Sequence, residues 1–154
     1  MENRVRIQIF NQPVIDGRVY VAENKEFVEN IFKKYLDNTK PLLLTDSNQE
    51  RGFLDDHHDE DYYKKFSTVD LSTVAGKFED IEIIETNEIG FGGVPIIEVW
   101  ANLKILDNDR GKMVNSLFKE DVATFGMRSI VNCLPDNKKE ITHVISYDLV
   151  SKKA

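Results

Sequence analysis

Apolar and polar positions along this chain recur with two different periods. Val5, Ile7 and Ile9 alternate with polar residues, which predicts a half-buried opening strand. The turn-like Ile15-Asp16-Gly17-Arg18 and a short extended Val19-Tyr20-Val21 follow. Over residues 23–36 the spacing changes. Phe27, Val28, Ile31, Phe32, Tyr35 and Leu36 fall on one face of an amphipathic helix, ended by Asp37-Asn38 and Pro41. Residues 41–45 read as a buried strand. Residues 46–66, rich in Asp, Asn, Gln and Glu, read as the least structured stretch; loops of that length in compact domains are usually functional or disordered. A strand is predicted over 68–84, with Gly76 a bulge or bend, then a turn-rich connector over 87–93 holding three glycines.

The second half is dominated by alternation. Ile97, Val99, Ala101, Leu103 and Ile105 predict a central strand over 96–106. Asp107-Asn108-Asp109 offers helix caps, and Met113, Val114, Leu117 and Phe118 give the buried stripe of a helix of about three turns. A strand over 122–134, a turn at Pro135-Asp136-Asn137-Lys138 and a last strand over 141–150 complete the pattern. Some six strands and two helices predict a single α+β domain over residues 1–154. Its sheet would be mostly antiparallel and barrel-like, with a few flanking helices.

Composition narrows the partners. With 154 residues the chain can bury most of its apolar surface. A net charge of −7 argues against nucleic acid as a partner, because such binding rests on Lys and Arg neutralising phosphates. No apolar run approaches a membrane span, so no membrane is expected, and Met1-Glu2-Asn3-Arg4 has no hydrophobic signal core. The single cysteine, Cys133, excludes an internal disulfide and suits a reducing cytoplasm; its apolar run predicts a small buried hydrophobe.

Three features carry candidate chemistry. The densest charge cluster, Asp55-Asp56-His57-His58-Asp59-Glu60-Asp61, reads as a solvated loop, a divalent-metal site, or the carrier of a general base whose hydroxyl partner lies far along the chain. In Thr124-Phe125-Gly126-Met127-Arg128-Ser129, a strand would put Thr124, Gly126 and Arg128 on one face and Phe125, Met127 and Ser129 on the other. Arg128 among apolar residues needs a partner or a target: a structural ion pair, or a developing oxyanion. Asp148, inside the last apolar run, is a satisfied structural carboxylate or the group that orients a catalytic histidine. His143, on the same strand, is the weaker candidate.

The order of these residues resembles the phage prohead (capsid maturation) serine proteases of the T-even and giant-phage type, which are related to herpesvirus assemblin. Asp16-Gly17-Arg18-Val19-Tyr20 before a helix looks like that family's early segment, and Gly52-Phe53-Leu54-Asp55-Asp56-His57 is similar to its Gly-Glu-Leu-x-His. Val69-Asp70-Leu71-Ser72-Thr73-Val74-Ala75 resembles the strand that follows. Leu103-Lys104-Ile105-Leu106, Gly111-Lys112 and Leu117 look like the stretch before the nucleophile, and Tyr147-Asp148-Leu149-Val150 resembles the closing Asp-x-Val strand. Each motif is weak alone, and their shared order over residues 15–150 carries the likeness.

The resemblance implies a serine endopeptidase that trims scaffold and capsid proteins inside the assembling prohead, in the cytoplasm of a bacterial host. It implies no cofactor and no metal, and, as in assemblin, a homo-oligomer. His57 or His58 would be the base, Asp148 or His143 its orienting partner, and Arg128 with backbone N–H groups the oxyanion stabiliser. One departure stands out. Aligning the family's arginine with Arg128 puts Gly126 in the serine's place. The chain is then an inactive relative, or carries a substituted serine, or is aligned with a shift that makes Ser129 or Thr124 the nucleophile. A catalytically inert head protein on the same fold is the first alternative, and a metal-dependent enzyme using residues 55–61 the second. The family often continues past the equivalent of Val150, so a truncated or self-processed form is also expected.

Overall fold

In a computed structural model of the chain, the residues described are 3–14, 17–38, 41–45, 53–55 and 60–151. The opening alternation forms β1 (Asn3–Phe10), followed by the short β2 (Val19–Tyr20). The first amphipathic stretch is α1 (Lys25–Asn38). Its N-terminus is capped by Asn24, whose Oδ1 accepts from the Phe27 N–H at 2.9 Å. Next come β3 (Leu42–Leu44), β4 (Phe53–Asp55) and α2 (Glu60–Ser67), then the long hairpin of β5 (Val74–Ile89) and β6 (Pro95–Ile105). Helix α3 (Asp109–Lys119) leads into a second hairpin, β7 (Ala123–Leu134) and β8 (Lys138–Ser151).

These strands form one sheet in the order β1-β6-β5-β3-β8-β7-β4, with β2 beside β8, curled into an open half-barrel. The α+β, barrel-like expectation therefore holds. The longest pairings, β1–β6, β5–β6 and β7–β8, are antiparallel, while β2, β3 and β4 add short parallel pairings to β8 or β7. The curl brings β1 back toward β7, where Gln8 Nε2 donates to Met127 Sδ at 3.4 Å.

Helix α1 fills the concave side with Val28, Ile31, Phe32 and Tyr35, packed on Phe78, Val99 and Tyr147. Buried apolar area of this kind is the main stabilising term in such a domain. A smaller cluster of Leu54, Phe66 and Ile130 joins α2 and β4 to the opposite face of β7. Strand β7 is thus buried on both faces along part of its length. Helix α3 docks closely against the end of β6. A Cβ at Gly111 would stand 1.9 Å from the Leu106 carbonyl oxygen, so only glycine fits there, while Asn108 Oδ1 caps the helix through the Gly111 N–H at 2.7 Å.

Three expectations change. The stretch over 46–66 contains β4 and all but the last residue of α2. That helix buries only Phe66 and is set by Glu60 and Asp61 in its first turn and Lys64 and Lys65 in its last, charges that suit the helix dipole. The strand expected over 68–84 begins at Val74, after a single 3₁₀ turn capped by Asp70, and runs on to Ile89. Cys133 is exposed, because the β7–β8 hairpin runs past Val131, the last core residue of β7, and the described residues leave Cys133 and Leu134 uncovered. Among the described residues, no helix is long and apolar enough to cross a membrane.

Candidate functional site

The residues singled out on β7 and β8 meet through the ladder register. Gly126 lies opposite Asp148, Thr124 opposite Val150, and Arg128 opposite Ser146. The pairing slips twice, between Arg128↔Ser146 and Ser129↔Val144 and again between Ile130↔His143 and Val131↔Ile141. Strand β8 therefore absorbs two extra residues, Ile145 and Thr142, as bulges. Strand β7 itself keeps its alternation. Phe125, Met127 and Val131 face the main core, while Ile130 joins the cluster under α2.

Arg128 and Asp148 form a buried ion pair, at 3% and 1% side-chain exposure. Arg128 Nε donates to Asp148 Oδ2 at 2.8 Å and Nη2 to Oδ1 at 2.7 Å, the bidentate geometry that makes Arg–carboxylate pairs strong. Ser146 Oγ adds a donor to Oδ1 at 3.3 Å. The third guanidinium nitrogen, Nη1, donates to the carbonyls of Phe66 at 3.0 Å and Thr68 at 2.9 Å. Those carbonyls belong to the end of α2 and the residues just past it, where a helix leaves acceptors unsatisfied and welcomes a cation. Arg128 therefore ties α2 to the sheet while neutralising Asp148. Both structural roles named for these two residues are present, and their catalytic roles would have to coexist with them.

The hydroxyl candidates are placed differently. Ser129 is fully buried, and its Oγ has no hydrogen-bond partner among the described residues. Thr124 is exposed near the start of β7. Gly126 has room: a Cβ built there meets only Val150 Cγ1, at 4.0 Å. A serine would be sterically acceptable, and its side chain would leave the strand directly across from Asp148. Along this part of β7 the edge away from β8 has no strand partner among the described residues, since β4 pairs only with Ser129, Ile130 and Val131.

His57 and His58 lie outside the described residues, as do Asp56 and Asp59. The described residues that flank them are Asp55, opposite Val131, and Glu60, the first residue of α2. His143 is exposed, with Nε2 2.9 Å from Lys34 Nζ on α1 and Nδ1 3.2 Å from Thr142 Oγ1. Among the described residues no group of three or more His, Cys, Asp and Glu is arranged to hold a metal.

Under Asp148 the core holds two phenols whose ionisation is suppressed. Burial pushes the Tyr35 hydroxyl well above the ordinary phenol range, and the charge of Asp148 adds to the shift. Burial does the same to Tyr147, helped by Tyr35 and Tyr20. Two clefts, of about 220 and 440 Å³, flank Phe91 at the tip of the β5–β6 hairpin, and neither is lined by Thr124, Gly126, Arg128 or Asp148.

Sequence reasoning missed Ser146 as a partner of Asp148, and the two α2 carbonyls as partners of Arg128. A buried arginine does advertise several acceptors, because five N–H donors cannot be satisfied by one carboxylate. Comparison with protein-family models, with curated proteins and with solved structures finds no match to this chain.

Proposed function

We propose that this chain is a prohead-protease-type domain that serves phage head assembly by holding scaffold or capsid polypeptide without cleaving it, inside the prohead of a bacterial host. The order of motifs from Asp16 to Asp148 supports the family, and the α+β half-barrel is compatible with it.

The observation that carries the non-cleaving form is the Arg128 guanidinium. An oxyanion stabiliser must aim its donors at the atom where charge develops. Here four N–H groups already point at Asp148, Phe66 and Thr68. The position facing Asp148 has no side chain, and the only serine of the segment is sealed inside the sheet. Among the described residues the edge of β7 before Ser129 has no strand partner, which supports its holding an extended polypeptide through main-chain hydrogen bonds.

A serine endopeptidase is the second reading, and the open space at Gly126 favours it. Incubating the chain with scaffold polypeptide from the same head separates the two. The non-cleaving form predicts co-purification without cleavage. Cleavage by the unaltered chain that Thr124→Ala or Ser129→Ala abolishes would overturn it. Cleavage gained only on Gly126→Ser would identify a protease whose nucleophile position has been emptied.

A further inference from the structure

A single exposed apolar side chain needs no explanation, but several gathered round a recess and rimmed by charge mark an interaction surface. At the tip of the β5–β6 hairpin, Ile89 is 65% exposed and Phe91 49%. The Phe91 ring stands between the two clefts. The larger, of about 440 Å³, is walled by Pro13, Ile89 and Ile96. The smaller, of about 220 Å³, runs over Phe27 and is bordered by Lys138, Glu23 and Glu140.

This tip is pinned to the end of β1. Asn11, 1% exposed and with a left-handed φ of 69°, donates from Nδ2 to the Ala22 and Pro95 carbonyls at 2.9 and 2.8 Å. Its own carbonyl accepts from the Phe91 N–H at 2.9 Å. Gly90 packs so closely on that carbonyl that a Cβ would collide with it. The backbone that carries Phe91 is therefore fixed in advance, which lowers the ordering cost of association.

The lining narrows the partner. A small molecule would find mainly apolar walls in the larger cleft, where the Asn11 amide is already bonded at both Nδ2 and Oδ1. Lys138 Nζ lies 6.0 Å from the centre of the Phe91 ring and, among the described residues, pairs with neither Glu23 nor Glu140. A fitting protein surface must bring a projecting apolar side chain, a recess for Phe91 and charges of both signs. This patch has all three itself.

We infer that the β5–β6 tip is a self-association face, on which two copies of this chain meet about a two-fold axis. Each places Phe91 in the larger cleft of the other, so one patch supplies both knob and recess. Lys138 of each copy can then turn to Glu23 or Glu140 of the partner subunit, which offsets the repulsion between two chains of net charge −7. The patch is small, so the dimer is a weak one. Neither cleft is lined by Gly126, so the inference stands apart from the reading of that site.

Sedimentation velocity of the whole chain from about 5 μM to about 1 mM tests it. The expected result is a monomer–dimer equilibrium. Phe91→Glu and Ile89→Lys should each raise the dimer Kd at least tenfold with Tm unchanged, since both side chains are largely in solvent. Leu71→Glu, at an exposed position on the 3₁₀ turn before β5, should leave the Kd within twofold. Lys138→Glu should weaken the dimer, and adding Glu23→Lys and Glu140→Lys should restore it, because the rim charges are then exchanged on both copies. A parent that stays monomeric at about 1 mM overturns the inference, and uptake of a blocked Phe-Leu dipeptide by that monomer would assign the face to a foreign partner. Association that Phe91→Glu and Ile89→Lys both leave within twofold overturns it equally.

Discussion

Replacing Arg128 by methionine isolates the structural role of the buried pair. The substitution keeps the apolar stem and removes the guanidinium, leaving the Asp148 carboxylate at 1% exposure without its bidentate partner. Removing one member of a buried pair costs about 3–5 kcal/mol, mostly through the uncompensated charge left behind. The Phe66 and Thr68 carbonyls also lose their donor, which adds about 1 kcal/mol if α2 stays in place and less if its last turn frays into water. A loss of about 4 kcal/mol is a large share of the roughly 5–15 kcal/mol that holds a domain together. It corresponds to a fall in Tm of about 10 °C for a chain of this size.

Chemical denaturation followed by the fluorescence of the single tryptophan, Trp100, measures that loss. Asp148→Leu should cost a similar amount. The double variant should be no less stable than either single one, since neither charge is then left alone, so the coupling is about 4 kcal/mol or more. Arg128→Lys should rescue less than half, because a single ammonium cannot serve both carboxylate oxygens and two carbonyls. Hydrogen exchange should show α2 amides opening first in Arg128→Met. A loss below about 1 kcal/mol in Arg128→Met, or additive single substitutions, would refute the pairing as a structural tie.

Two further outcomes follow from local geometry. Gly111→Ala should destabilise by several kcal/mol, since its Cβ would meet the Leu106 carbonyl at 1.9 Å, whereas Gly126→Ala should be neutral or stabilising by about 0.5 kcal/mol; equal effects in thermal melts would contradict the packing at α3. Because the pKa values of Tyr35 and Tyr147 are raised in the folded state, their contribution to stability is complete below the ordinary phenol pKa of about 10 and is lost as pH rises beyond it. Ultraviolet titration should therefore show two of the five tyrosines ionising only as the chain unfolds in alkali.

Much of the fold is legible in period alone. Residues 23–36 and the alternations at 5–9 and 97–105 lie where α1, β1 and β6 form, because each has a wide apolar stripe and a clean polar face. Helix α2 is not legible in that way. It is short, buries one residue and is fixed by Arg128, a contact 60 or more residues away in sequence. The β8 bulges are equally invisible, since an extra residue in a ladder is decided by the partner strand. Cys133 misleads because an apolar run can outlast the core it packs on. At the candidate site, the sequence marks Arg128 and Asp148 as residues that must have partners, and the partner of each is the other. Pattern cannot reveal that, because a β7 residue faces several β8 residues until the register is known.

The β7–β8 hairpin carries one cation whose buried charge is met within the fold. Arg128 has a carboxylate on two of its nitrogens and two carbonyls on the third. Its desolvation is offset within the fold, and adding a ligand there would mean breaking bonds already made. The same reasoning bears on Gly126. A position whose neighbours are already satisfied has no stored electrostatic deficit for a substrate to relieve, so the ladder position opposite Asp148 offers space but no unmet charge.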